Sequence, residues 1–147
     1  MATINGDNYD VAVDFDPSAD DKLVQGLWNG KVRVQMETYT INAKAAGTVI
    51  NVAKLPKGAT FIIGLIVHEA LGGGVTLAMG DSATDDVDTD RYMEATSAAT
   101  AGNLDAKAFA GVGYTALEDL TLYLTTAGAT TAVADRVIKV MTMFSLE

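Results

Sequence analysis

Residues 80–92 read GDSATDDVDTDRY, with five aspartates and one arginine in thirteen positions. Carboxylates this close repel one another unless a cation or a hydrogen-bond network offsets them. Asp86, Asp88 and Asp90 reproduce the D-x-D-x-D opening of an EF-hand calcium loop. The pattern then breaks. The sixth position, where a sharp turn requires glycine, is Arg91, and the twelfth, where a bidentate glutamate closes the cage, is Ser97. Two readings remain. Residues 81–90 either build a calcium site of another kind, since clustered carboxylates are hard oxygen ligands, or form a solvated loop at a sheet edge. In the second, favoured reading Arg91 pairs with one or two of the aspartates.

Other candidates for chemistry are thinner. His68 is the single histidine and ends the apolar run FIIGLIV. A Ser-His-Asp arrangement needs a nucleophile within reach and a carboxylate to orient the ring. No G-x-S-x-G elbow accompanies it, so a structural histidine at a strand end is expected. Paired carboxylates could serve a glycosidase, yet no pair sits in an apolar setting that would raise a pKa. Gly72, Gly73 and Gly74 precede a strand and lack the Lys-Ser/Thr of a phosphate cradle, so they read as a turn. With no cysteine there is no disulfide, thiolate metal site or thiol nucleophile. The expectation is no catalytic residue, no metal ligand and no cofactor.

These residues must be held by a scaffold, and 147 residues suit one domain able to bury a core without staples. The chain is 49% hydrophobic with 14 glycines and 2 prolines. Its net charge of −9 is concentrated in two places. Residues 1–30 carry −5 and residues 81–94 carry −5, leaving +1 for everything else. No basic face offers itself to nucleic acid. The longest apolar run, residues 61–67, is too short to span a bilayer, and the polar start ATINGDNYD is not expected to be a signal peptide.

The spacing predicts strands over KVRVQMETYTI, GTVINVAKL, ATFIIGLIVHEA, VTLAMG, EDLTLYLTT and RVIKVMTMFSL. The third, a continuous β-branched run, is expected to be a central strand buried on both faces. Leu55-Pro56-Lys57-Gly58 is a turn signal. The stretch after Tyr92 has weak periodicity, with helix-compatible residues over 93–100. The class that emerges is all-β: an antiparallel β-sandwich, jelly-roll-like, over residues 31–147, with an extended N-terminal arm over residues 1–30. In the arm Tyr9, Val11, Val13 and Phe15 alternate with polar or small residues, and Trp28-Asn29-Gly30 closes it. It holds too little apolar content to fold alone, and a tryptophan is a favoured anchor at interfaces.

GKVRVQMETYTI, GTVINVAKLPKGATFIIGLIVHEA, GVTLAMGDS with DTDRYMEA, and DLTLYLTT with RVIKVMTMFSL resemble a class of small tailed-bacteriophage structural proteins over residues 31–147. In these an LPKGA turn joins two sandwich strands, a GD…DRY segment follows another strand, and a valine-rich strand ends the chain. The resemblance implies a jelly-roll-like sandwich that decorates or cements the capsid from outside, often as a homotrimer, against the major capsid protein. It implies assembly in the host cytoplasm. Related sandwiches also occur in head fibres and necks. On this reading Tyr9, Val11, Val13, Phe15 and Trp28 reach to a neighbouring subunit or the shell. The rival is a β-sandwich module that binds calcium or carbohydrate.

Overall fold

A computed structural model describes residues 31–85 and 88–146. It contains eight strands: β1 (Lys31–Ile41), β2 (Val49–Leu55), β3 (Thr60–His68), β4 (Thr76–Asp81), β5 (Met93–Ser97), β6 (Gly102–Ala106), β7 (Leu120–Ala127) and β8 (Arg136–Leu146). All pairings are antiparallel, in two four-stranded sheets ordered β1-β8-β3-β6 and β2-β7-β4-β5. Apart from the β4–β5 connection, every link in the chain passes from one sheet to the other. That order is the eight-stranded jelly roll, so the expected fold class holds.

Alternation explains the core. On β7, Leu120, Leu122 and Leu124 are buried while the residues between them face outward. On β8, Ile138, Val140 and Phe144 face inward. They meet Phe61 and Ile66 of β3 across the gap from Ile50, Val52, Leu77 and Met79. Each fully buried side chain of this size contributes about 1.5–3 kcal/mol by leaving water. The Pro56 turn is closed by Ala59 N–H donating to the Pro56 carbonyl at 3.0 Å, with Gly58 at φ +82°. That is the third position of a type II turn, which needs glycine.

One stretch that the sequence left open is resolved, and one expectation needs correction. The weakly periodic stretch after Tyr92 is β5 and β6, not helix. Its small and hydroxylated residues lie on outermost strands, mostly exposed, where pairing with β4 and β3 decides the backbone and local preference does not. Second, β3 is not buried on both faces. Phe61 and Ile66 point into the core, but Ile63 and Leu65 are half-buried and Val67 is exposed on the outer face. The sandwich has no third layer among the described residues to cover them.

Candidate assembly surface

The acidic stretch is the first feature that the fold places. Asp81 ends β4 with no exposed surface, and Arg91 is only 7% exposed. Arg91 Nε donates to Asp81 Oδ2 at 2.8 Å, and the Tyr92 hydroxyl donates to the same oxygen at 2.9 Å. Asp81 Oδ1 accepts the Ala83 N–H at 3.0 Å. The Arg91 guanidinium lies 4.3 Å from the centre of the Tyr114 ring. The Tyr92 ring sits 4.4 Å from Phe61 and 6.4 Å from Tyr114. So a buried ion pair closes the β4–β5 connection from inside, with aromatic rings around it. Gly80 is required by the same closure, because a Cβ there would run into the Asp88 and Thr89 backbone. The loop is stitched further to β7 and the segment before it: Thr84 N–H donates to Glu118 at 2.6 Å and Ser82 Oγ accepts the Thr121 N–H at 2.9 Å.

The expectation that Arg91 pairs with an aspartate is met by Asp81, which is buried rather than solvated. Asp81 has both oxygens engaged by protein donors and is not free to act as a ligand. Among the described residues no three acidic or histidine side chains come together as a metal site. Asp86, part of the EF-hand-like opening, lies outside the described residues. The Asp90 carboxyl is raised from its ordinary value, first by its side-chain hydrogen bond with Asp88 and then by local desolvation and the neighbouring negative charge of Asp88 and Glu94.

Burial, then the Asp81 charge, pushes the Tyr92 phenol far above the ordinary tyrosine range. Such a phenol stays neutral in the folded chain where the unfolded chain ionises. The stability it contributes is therefore complete below pH of about 10 and lost as pH climbs toward the folded value. We expect the last tyrosinate absorbance to develop together with loss of the β-sheet circular dichroism signal in an alkaline titration. Full tyrosinate absorbance with the sheet signal intact would show that Tyr92 titrates without hindrance.

His68 is buried, and its Nδ1 lies 2.9 Å from the Glu69 carbonyl. Glu69 in turn accepts the Val137 N–H at 2.7 Å. The pair closes the end of β3 against β8 and forms a shallow cleft with Val67 and Lys139. It is a strand-end fastening, as expected of a lone histidine there.

The largest unexplained feature is the outer face of the β1-β8-β3 sheet. Cross-strand register puts Val34 beside Met143 and Met36 beside Met141. It also puts Met143 beside Ile63 and Met141 beside Leu65. Residues opposite one another share a face, so Val32, Val34, Met36, Met141, Met143, Ile63, Leu65 and Val67 form one apolar surface three strands wide. Met36 is 74% exposed, and Val32 and Val34 are 53% exposed each. β1 is unusual on its other face too. Arg33, Glu37 and Tyr39 are exposed there, and only Ile41 of its eleven residues is buried. What fastens this strand, besides β8, is Gln35. Its side-chain amide donates to the Lys54 carbonyl at 2.8 Å and accepts the Lys54 N–H at 2.9 Å, bridging the two sheets at their margin.

A second exposed feature lies at the end of the sandwich where β1 begins. The 107–119 connection leaves Phe109 fully exposed and Val112 and Leu117 largely so. It is anchored to the acidic loop by Ala108 N–H donating to the Tyr92 carbonyl at 2.9 Å.

The arm residues expected at an interface, Tyr9, Val11, Val13, Phe15 and Trp28, lie outside the described residues. The outer sheet face was not anticipated. Its signal was present: β3 and β8 carry apolar residues in both phases of the alternation, and an antiparallel strand with one solvated face carries them in one phase only.

Set beside known structures, the chain shares its fold with a chain of the cyanophage Pam1 capsid asymmetric unit. The TM-score is 0.67 at 22% identity, covering 82% of this chain and 88% of that one. A chain from the capsid of Ralstonia phage GP4 matches with a TM-score of 0.62 at 20% identity, over 78% and 85%. A chain from the capsid of Helicobacter pylori bacteriophage KHP30 matches with a TM-score of 0.55 at 14% identity, over 78% and 87%. No family model and no curated protein matches the sequence. The motif resemblance to phage structural proteins thus extends to the fold: this jelly roll is one found in phage capsids.

Proposed function

We propose that the chain is a structural protein of a bacteriophage virion, and that within it the chain acts as a capsid decoration, or cement, protein. What carries the reading is the eight-stranded jelly roll, matched over most of its length by chains of three phage capsids. The apolar outer sheet face supports it, because soluble monomers rarely expose a contiguous apolar surface without a partner. The action is mechanical. A rigid sandwich, present as a homotrimer on the outside of the head, bridges neighbouring copies of the major capsid protein. Many modest contacts repeated by symmetry give avidity without high affinity per contact. The acidic arm, with Tyr9, Val11, Val13, Phe15 and Trp28, reaches to a neighbouring subunit or to the shell.

The test is cosedimentation with purified heads that lack this protein. The expected result is saturable binding in a copy number that is a multiple of three, and deletion of residues 1–28 should weaken binding while the sandwich stays folded. Absence of binding to heads would overturn the decoration role, and binding unchanged by the deletion would overturn the role of the arm.

A further inference from the structure

We infer that the outer face of the β1-β8-β3 sheet is the surface through which copies of this chain meet. The inference rests on the assembly role proposed above and names its surface. β1 is an eleven-residue strand that buries one side chain, and it sits at the margin of its sheet, where β8 is its one strand neighbour among the described residues. A strand this long, apolar on its outer side and with no second strand beside it among the described residues, can template another chain. The outward residues beside it, Met141 and Met143, are flexible side chains that adapt to a facing surface.

Charge selects a second copy as the occupant. The molecule carries −9, so two copies repel wherever their acidic segments approach. The outward positions of β1, β8 and β3 hold one charged residue, Lys139 (register partners Thr38 and Val67), and the one carboxylate that β6 adds at the margin, Asp105 beside Leu65, is paired with Lys107 at 2.8 Å. The described acidic residues of the β4–β5 connection lie at the end of the sandwich, away from the face. This is therefore a surface on which two identical acidic molecules approach without carboxylates facing one another across its centre. The fully exposed Phe109 belongs to the end of the sandwich, not to this face, and serves as the internal control.

The experiment is light scattering and sedimentation on the full chain at micromolar concentration, for the wild type, for Val34→Lys with Met36→Lys, and for Phe109→Lys. Val34 and Met36 are exposed in the single chain, so the double substitution leaves the core intact, which an unchanged thermal melt of a dilute monomeric sample verifies. The expected wild-type mass is at least twice 15.3 kDa. The double-lysine variant should return to the monomer mass, with association weakened at least tenfold, and Phe109→Lys should retain the assembly. Peroxide oxidation read by mass spectrometry should find Met141 and Met143, the β8 neighbours of the two substituted positions, protected in the wild-type assembly and open in the double-lysine variant. A monomeric wild type overturns the inference, as does a double-lysine variant that keeps the assembly mass. Either result leaves the virion role to be decided separately by head binding, since a monomer that still binds heads keeps that role.

Discussion

Arg91→Ala is expected to cost about 3–5 kcal/mol of folding stability, because it strands a fully buried carboxylate. Asp81 has no exposed surface, and the Arg91 guanidinium is its one cationic partner in the described contacts. The Tyr92 hydroxyl and the Ala83 N–H remain as donors to it. Neutral donors do not replace a cation in a low-dielectric setting. The loss is a large share of the roughly 5–15 kcal/mol available to a domain of ordinary stability, so the variant is expected to unfold at much lower denaturant. Arg91→Lys keeps the charge but loses the planar group that stacks on Tyr114, and should fall between the two. Combining Arg91→Met with Asp81→Leu removes both charges and should recover much of the loss, since an apolar pair of similar volume is often no worse than a buried ion pair. Equilibrium urea unfolding of the four proteins measures this. A loss below about 1 kcal/mol for Arg91→Ala would place the pair in the range of exposed salt bridges and contradict its burial.

The second large effect is expected at Phe61. Truncation to alanine should cost about 3–5 kcal/mol, the range for deleting a buried aromatic and leaving a cavity. The residue has no exposed surface and its ring meets Tyr92. Its backbone also holds the 107–119 connection: Phe61 N–H donates to the Tyr114 carbonyl, and Gly113 N–H donates to the Phe61 carbonyl, both at 2.9 Å. Those bonds survive the substitution in kind, so the loss is one of packing. It should propagate to Tyr92 and therefore to the Asp81 cluster. A double-mutant cycle between Phe61→Ala and Arg91→Ala is expected to be non-additive for that reason. Strict additivity would mean that the ring and the ion pair are independent.

The legible part of this fold is the part with strong alternation. KVRVQMETYTI and RVIKVMTMFSL are β1 and β8 residue for residue, and the leucines of β7 face the core as their spacing requires. β5 and β6 escaped because ATS and GNLD carry no apolar period. They are strands because the margins of β4 and β3 offer unpaired backbone groups, a tertiary fact that no local window contains. The acidic stretch was readable as to type and not as to pairing. Which aspartate Arg91 meets is set by the Met79–Met93 register, which brings the end of β4 under the start of β5. Repulsion among five carboxylates suggested solvation. Burial of one of them with two donors from the DRY triplet is what the register allows. The outer sheet face was hidden for a different reason: β1 alternates apolar with polar residues, and it is natural to assign the apolar phase to the core. In the structure that phase points outward. Period two shows that a strand has two unlike faces without saying which one is inside.

Lys31 pairs with Leu146, so the polypeptide enters and leaves the sandwich side by side at one end. The connections 42–48 and 128–135 close the opposite end, where Ala43 N–H and Thr131 N–H donate to carbonyls of Ala132 and Lys44. For anyone wishing to carry a passenger on this protein, that geometry separates two insertion routes. A passenger fused behind the last strand would crowd the start of β1. One spliced into the tip of the 128–135 connection would ride on the far pole, a sandwich length away from it. The adjacent entry and exit points also make the chain a candidate for circular permutation, with a short peptide joining Leu146 to Lys31 and new ends opened at that far pole.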